Sequence, residues 1–388
     1  MKADSYIPDL PERLPGIHAL RGVAALMVLL FHVHHVGLIP LPQSWGLIAS
    51  HGGFGVELFF VLSAFSLLYS SRKYTQQSDQ KWLLTYLSKR FFRIAPLFYT
   101  MLFIHCMLIL FVFNGALDIK RVVMSLLFIF NFAPKEAEGI VWASWSIGVE
   151  MIFYAFLPMA MVLIRSLRGA ALLWCVGVLV SYFYRQLLES DPSIPNGYAH
   201  YAFMSQMGVF CCGILGYWIF SKIQKTYGVT RQYFWWVTVV LGPILAIVLL
   251  TEVGVFLVSA GRPDTQLWGL SFGLTAALVA ISTKRWMSHP ILQHLGERSY
   301  SIYLIHAVVI YGTGSTIRDL YEVLYPTLGG YGFAVCASVV FCVTLLIAEV
   351  SYRFIEVPGI ALGRRILTSR FSAIYEEKKP ETPLSSRS

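Results

Sequence analysis

Arg21 and His32 stand eleven residues apart in an otherwise apolar run, Leu20–His32. On a helix turning about 100° per residue they fall within roughly 20° of one face, ~16 Å apart along the axis. Such a helix offers a guanidinium near one end and an imidazole near the other, both aimed at one interior. Two carboxylates occupy comparable places in later apolar runs, Glu57 in Gly55–Ser63 and Glu150 in Trp145–Glu150. A rise of about 1.5 Å per residue sets them about 6 Å and about 9 Å inside the ends of their segments, close to the depth of His32. An imidazole oriented by a carboxylate is a general base that works near neutral pH. The spacing therefore predicts His32 as a base, Glu150 as the group that orients it, and Arg21 as a cation on the same face. The structural alternative is that these groups bond between helices and only hold them together.

Two further groups have chemistry in their spacing. Arg90 and Arg93, in Lys89–Pro96, are three apart and share a helix face. Forked guanidiniums side by side suit phosphate oxygens through paired hydrogen bonds; the alternative is the ordinary basic flank of a span. Ser299, Tyr303 and His306 recur at helical spacing and predict a polar stripe on one helix. That stripe suits substrate contact and structural hydrogen bonding equally.

The elements that must carry these residues are membrane helices. The chain is 56% hydrophobic and 13% charged, about half the charge of an ordinary soluble domain. Several apolar runs have the length, about 20 residues, that crosses a hydrocarbon core of roughly 30 Å. A single soluble domain is excluded on that ground. Helices are predicted at 17–37, 53–70, 95–114, 143–164, 169–187, 199–220, 233–252, 265–282, 299–316 and 331–352. Val122–Phe132, followed by Pro134, is too short to span and is predicted to be interfacial or re-entrant.

With the N-terminus in the cytoplasm and ten alternating spans, 24 of the 30 Lys and Arg residues fall on the cytoplasmic side; Lys120, Arg121, Lys135, Arg185, Arg262 and Arg318 stay outside. That bias satisfies the positive-inside rule, and an eleventh span at Val122–Phe132 would reverse it for every later loop. The net charge of +9 belongs to those loops and to anionic lipid, not to nucleic acid. The expected architecture is an all-α integral membrane protein of about ten transmembrane helices with both termini cytoplasmic. Residues 1–371 form one polytopic domain and 372–388 a polar cytoplasmic tail without fixed structure. The first apolar run reads as a permanent span, not a cleaved signal. The six cysteines sit in apolar runs with no Cys-x-x-Cys or Cys/His spacing, so neither a disulfide framework nor a metal site is expected.

Taken in order, six motifs carry a resemblance. They are Leu20-Arg21-Gly22 with His32, Gly55–Ser63 around Glu57, Arg90-x-x-Arg93 with Pro96, Trp145–Glu150, Ser299–His306, and Phe354-Ile355-Glu356-Val357-Pro358. Together they resemble the membrane acyltransferase-3 family of bacterial O-acyltransferases. Two departures are small: Ala64 stands where the family usually has Gly, and Gly148 where Ser is common. The resemblance implies transfer of an acyl group, often acetyl, from a cytoplasmic acyl-CoA to an acceptor hydroxyl. Family acceptors include surface polysaccharides, peptidoglycan, lipid-linked sugars and secondary metabolites, and the implied location is the bacterial inner membrane, in contact with its lipid. It further implies that Arg21 and His32 are essential and that Arg90 and Arg93 hold the CoA phosphates. Acyl-CoA is then a substrate, with no tightly bound cofactor. Glu57, Ser146, Tyr303 and His306 remain open between substrate contact and structural bonding. The competing reading is a proton-coupled transporter or flippase, with Arg21, His32, Glu57 and Glu150 as its path. It predicts broken helices paired in two related halves, and the sequence shows no such repeat.

Overall fold

The computed structural model describes residues 13–72, 81–227, 264–281 and 285–377, and every regular element among them is helical. Helix α1 (Pro15–His35) opens with a proline in its first turn, where the missing N–H has no bond to lose. The short α2 (Gly46–His51) leads to α3 (Gly55–Ser71) and then α4 (Lys81–Met107), which ends in a π turn at Leu108–Val112. Next come α5 (Ile119–Leu126), α6 (Trp145–Leu163), α7 (Leu167–Ser190), α8 (Tyr198–Tyr201), α9 (Phe203–Tyr227) and α10 (Asp264–Ile281). The chain closes with α11 (Pro290–Glu297), α12 (Ser299–Leu328), α13 (Gly332–Ser351) and α14 (Val357–Glu377), the last two joined by a π turn at Tyr352–Glu356.

Seven stretches of the described residues are long and apolar enough to cross a membrane, and the last of them, Ser299–Ser369, holds both α12 and α13 and runs into α14. The chain is therefore a multi-spanning, all-α membrane protein. Nine of the ten predicted segments lie on helices, and the tenth, 233–252, falls outside the described residues. The region predicted to be interfacial contains α5, whose eight residues rise only about 12 Å, followed by 3-10 turns at Phe130–Phe132 and Pro134–Glu136. The residues predicted to form a tail behave differently at their start: α14 continues to Glu377, and 378–388 lie outside the described residues.

Helix α9 packs along α3, α7 and α10, while α1 lies against α3, α11 and α12, α12 pairs with α13, and α14 lies on α4. Stacked rings fill the α3–α6–α9 junction: Phe210 lies 4.5 Å from Phe60 and 3.9 Å from Phe153, centroid to centroid. Between membrane helices, apolar attraction gives way to close van der Waals packing through small residues. A Cβ on Gly22 would stand 2.9 Å from Leu295 Cβ, and one on Gly296 would run into the His18 carbonyl. Helices α1 and α11 thus touch at their backbones, which sets Ser299, at the start of α12, beside Arg21. One turn apart on α14, Gly359 and Gly363 play the same part. Cβ atoms there would lie 2.5 Å from Pro96 Cγ and 2.6 Å from Phe92 Cβ of α4.

The π turn has a defined anchor, Val357 N–H donating to the Tyr352 carbonyl. Beside it Glu349 accepts from both Arg298 and Arg353, and the Arg298 guanidinium lies 4.6 Å above the Tyr352 ring. These contacts tie the start of α12 to the end of α13. Gly363→Leu is expected to destabilise the protein by about 1–3 kcal/mol through overpacking. Leu362→Ala, on the exposed side of the same turn, is expected to change little; a thermal-unfolding measurement in detergent checks both.

Candidate active site

Arg21 on α1 and Arg90 and Arg93 on α4 line one cavity of about 480 Å³, walled also by α3, α6, the π turn and α14. Its charged lining is five arginines (13, 21, 90, 93 and 364) against Glu297 and Glu356. Arg21 Nε donates to Ser299 Oγ at 3.4 Å, while the buried Arg90 Nε has no hydrogen-bond partner. Among the described residues none of Arg21, Arg90 and Arg93 forms an ion pair; Arg13 and Arg298 take Glu297 instead. Glu356 is buried and accepts from Ser301 Oγ at 2.9 Å. Helix packing has therefore gathered guanidinium charge and left it receptive to an anion.

Glu150 does not line this cavity but bonds to two residues that do. Its Oε1 accepts from Ser63 of α3 and from Tyr154, one turn further along α6. It lies within electrostatic range of Arg21 and Arg90. The predicted bond from Glu150 to the imidazole of His32 is not formed. Depth along a helix does not fix direction around it, and the carboxylate turns toward Ser63 and Tyr154.

Farther from the arginines, the hydroxyls of Ser146 and Tyr303 share a hydrogen bond of 2.7 Å, and Tyr303 donates to the Ala143 carbonyl at 2.9 Å. Ala143 has φ +62°, a left-handed conformation that costs a residue with a Cβ. Its carbonyl is held by Tyr303, and the preceding Trp142 N–H donates to His105 Nε2 at 3.2 Å. Buried Glu57 acts on the same tyrosine electrostatically, as does Glu150.

Beyond this layer two histidines meet. His306 Nδ1 bonds to the Tyr303 carbonyl, so that nitrogen carries the proton and Nε2 is an acceptor. His32 Nδ1 lies 3.1 Å from His306 Nε2 and 2.9 Å from the Val28 carbonyl. Two acceptors facing one nitrogen assign the proton to His32 Nδ1 and the lone pair to its Nε2. The residue that orients His32 is thus His306, which the sequence identified as part of a polar stripe without its partner.

The predicted residues fall into three tiers along α1 and α12: Arg21, Arg90 and Arg93 at one end, then Glu150, Ser146, Tyr303 and Glu57, then His32 and His306. The cavity stops at Arg21, Ser63 and Tyr154, and His32 does not line it. Ser63, Tyr154, Ser301 and Arg364 are site neighbours that the sequence does not mark. Hydroxyls in apolar helices have little individual signal, and Arg364 lies past the last predicted span, 331–352.

A loop covers the far side of α6. Asn131 Nδ2 lies 2.9, 3.2 and 3.4 Å from the carbonyls of Trp145, Tyr201 and Ala137. Tyr198 donates to the Asn131 carbonyl at 3.1 Å, and burial, chiefly, pushes its hydroxyl up to about 12, so it stays a donor. A side chain on Gly148 would strike Asn131 Oδ1, which accounts for glycine at this position. Among the described residues no three His, Cys, Asp or Glu side chains are grouped to hold a metal ion.

The sequence profile described as "Acyltransferase domain" matches residues 14–347. Acyltransferase MdmB of Streptomyces mycarofaciens is 27% identical over 340 residues, covering 78% of this chain and 81% of its own. Peptidoglycan O-acetyltransferase OatA of Listeria monocytogenes is 26% identical over 379 residues, 89% of this chain and 55% of its own. O-acetyltransferase OatA of Staphylococcus aureus is 24% identical over 389 residues, 90% of this chain and 57% of its own. The matched region thus spans little more than half the length of the two OatA proteins. No solved structure matches.

Tyr303→Phe removes a hydroxyl that bonds twice. It is expected to lower stability by about 1–3 kcal/mol, seen as a fall in melting temperature with donor affinity retained.

Proposed function

Because the chain belongs to the acyltransferase family whose domain profile spans residues 14–347, we propose that it moves an acyl group, acetyl in the simplest case, from cytoplasmic acyl-CoA to a hydroxyl of a cell-surface glycan or lipid-linked sugar. The observation that carries the reading is the convergence of Arg21, Arg90 and Arg93 on one cavity without ion-pair partners among the described residues. CoA is polyanionic, and guanidiniums bind phosphate oxygens through charge-assisted, often bidentate bonds. The positive-inside bias supports placing this end in the cytoplasm, with ten spans and both termini inside a bacterial inner membrane. A glycan hydroxyl as acceptor is supported by likeness to the relative named as a peptidoglycan O-acetyltransferase.

On this reading Arg90 and Arg93 hold the donor phosphates at the cavity mouth, and the pantetheine arm points inward past Arg21. The layer of Ser63, Tyr154 and Glu150 must yield to let the thioester approach His32, which lies ~16 Å from Arg21 along α1. His32 Nε2 accepts the proton of the acceptor hydroxyl as its oxygen attacks the thioester carbonyl. A C–O bond forms, the C–S bond breaks, and the imidazolium returns its proton to the departing thiolate. His306 holds His32 in the tautomer that leaves Nε2 basic and accepts from Nδ1–H throughout. Glu150, held by two hydroxyls, balances the arginines without blocking them.

In purified protein, acyl-CoA should release thiol only when a hydroxyl acceptor is present. His32→Ala should lower kcat by about 10²–10⁴-fold, the range of a lost general base, while still binding CoA. Full turnover by that variant would overturn its assigned role, and thiol release indifferent to acceptor would count against the transfer. For His306→Ala, kcat should fall with little change in donor KM, and His306→Gln, which can present an amide oxygen to Nδ1–H, should restore part of the rate. Equal losses in both variants, or a change in KM alone, would assign His306 a purely structural part.

A further inference from the structure

Next to the main cavity lies a smaller one of about 200 Å³, which shares Arg90, Arg93 and Arg364 with it and adds Lys89. Its remaining wall includes Phe92 and Gly363, and no carboxylate lines it. The pocket exists because α14 can approach α4 closely: Gly363 stands where a Cβ would lie 2.6 Å from Phe92 Cβ. The next residue, Arg364, is thereby delivered to the edge of both cavities. Its side chain is exposed and forms no ion pair or hydrogen bond among the described residues.

We infer that the small pocket is a phosphomonoester subsite, occupied by the ribose 3′-phosphate of the donor, and that Arg364 is the residue that reads it. The inference rests on the reading of Arg90 and Arg93 as the donor-phosphate site. CoA carries two separate anionic groups on one ribose. The 5′-diphosphate continues into the pantetheine arm and so belongs at the mouth of the cavity that leads inward. The 3′-phosphate projects from the other side of the sugar and requires a lateral site. A phosphomonoester bears close to two negative charges near neutral pH, more than a diphosphate spreads over either phosphorus, and takes several cations at once. Three guanidiniums and an ammonium around a pocket without acids supply that demand, and Arg90 and Arg93, lining both spaces, bridge the two anions.

The same chemistry could come from an anionic lipid headgroup, so the test separates the two. Binding of CoA and of 3′-dephospho-CoA is measured on wild type and Arg364→Gln in phosphatidylcholine nanodiscs. Wild type should prefer CoA by about tenfold or more, as charge-assisted bonds to one phosphate allow, and in Arg364→Gln the ratio of the two Kd values should collapse toward one. Arg364→Lys should keep part of the preference. If wild type binds both nucleotides equally, or the glutamine variant keeps the full ratio, the subsite is overturned while the donor reading stands. If neither nucleotide binds, the donor reading itself fails. Repeating the measurement with phosphatidic acid in the disc should leave the ratio unchanged; its loss in wild type would assign the pocket to lipid and overturn the proposal.

Discussion

Three guanidiniums held together without ion-pair partners among the described residues set the terms for the rest of this protein. Charge of one sign inside a helix bundle is unfavourable, and a carboxylate in direct contact would relieve it by about 4 kcal/mol at an effective dielectric of 20. Two carboxylates that act on these arginines electrostatically are instead bound by hydroxyls: Glu150 by Ser63 and Tyr154, Glu356 by Ser301. They soften the positive field from a short distance and leave the arginine forks open to an incoming anion. The backbone contacts at Gly22, Gly296, Gly359 and Gly363 resist the mutual repulsion that would otherwise spread α1, α4 and α14 apart.

Helix α1 acts as a ruler between two kinds of chemistry. The arginine cluster is fixed at Arg21 and the histidine pair near the other end, so their separation is a property of one rigid element rather than of loop packing. Helix α12 runs beside it and repeats the order, with Ser299 at the arginine tier and His306 at the histidine tier. A polar file therefore runs between two helices whose outer surfaces remain apolar. The strained Ala143 and the knot at Asn131 belong to a segment that presses on this file from α6, holding Tyr303 in its place.

Much of this was legible in the residues and some was not. A charged group in an apolar run is conspicuous, so Arg21, His32, Glu57 and Glu150 announced themselves; their tiers did not, because rise per residue sets both carboxylates level with His32, while in the fold they lie between it and the arginines. Their partners did not: the turn of α6 that sends Glu150 toward Ser63 depends on rotation about the helix axis, which rise per residue leaves undetermined. His306 was visible as one member of a stripe, yet its pairing with His32 needed the packing of α12 on α1. Helix α14 has little signal in the sequence because its apolar residues are interrupted by arginines and Pro358 and Gly359 stand in its first turn, the usual sign of a stop. Family resemblance supplied the chemistry that geometry alone leaves open.

The π turn at Tyr352–Glu356 carries one residue more than an α-helical turn would. It works as a phase shifter. Deleting a single residue there would let α13 and α14 run on as one α-helix and rotate everything downstream by about 100°. Glu356 would leave Ser301, the Gly359–Gly363 face would leave α4, and Arg364 would point away from Arg90 and Arg93. The basic site is thus sensitive to length in a way that no inspection of its arginines reveals. Exchanging side chains along this joint leaves that phase intact, but a change of one residue in its length needs a compensating change to keep the two helices in step.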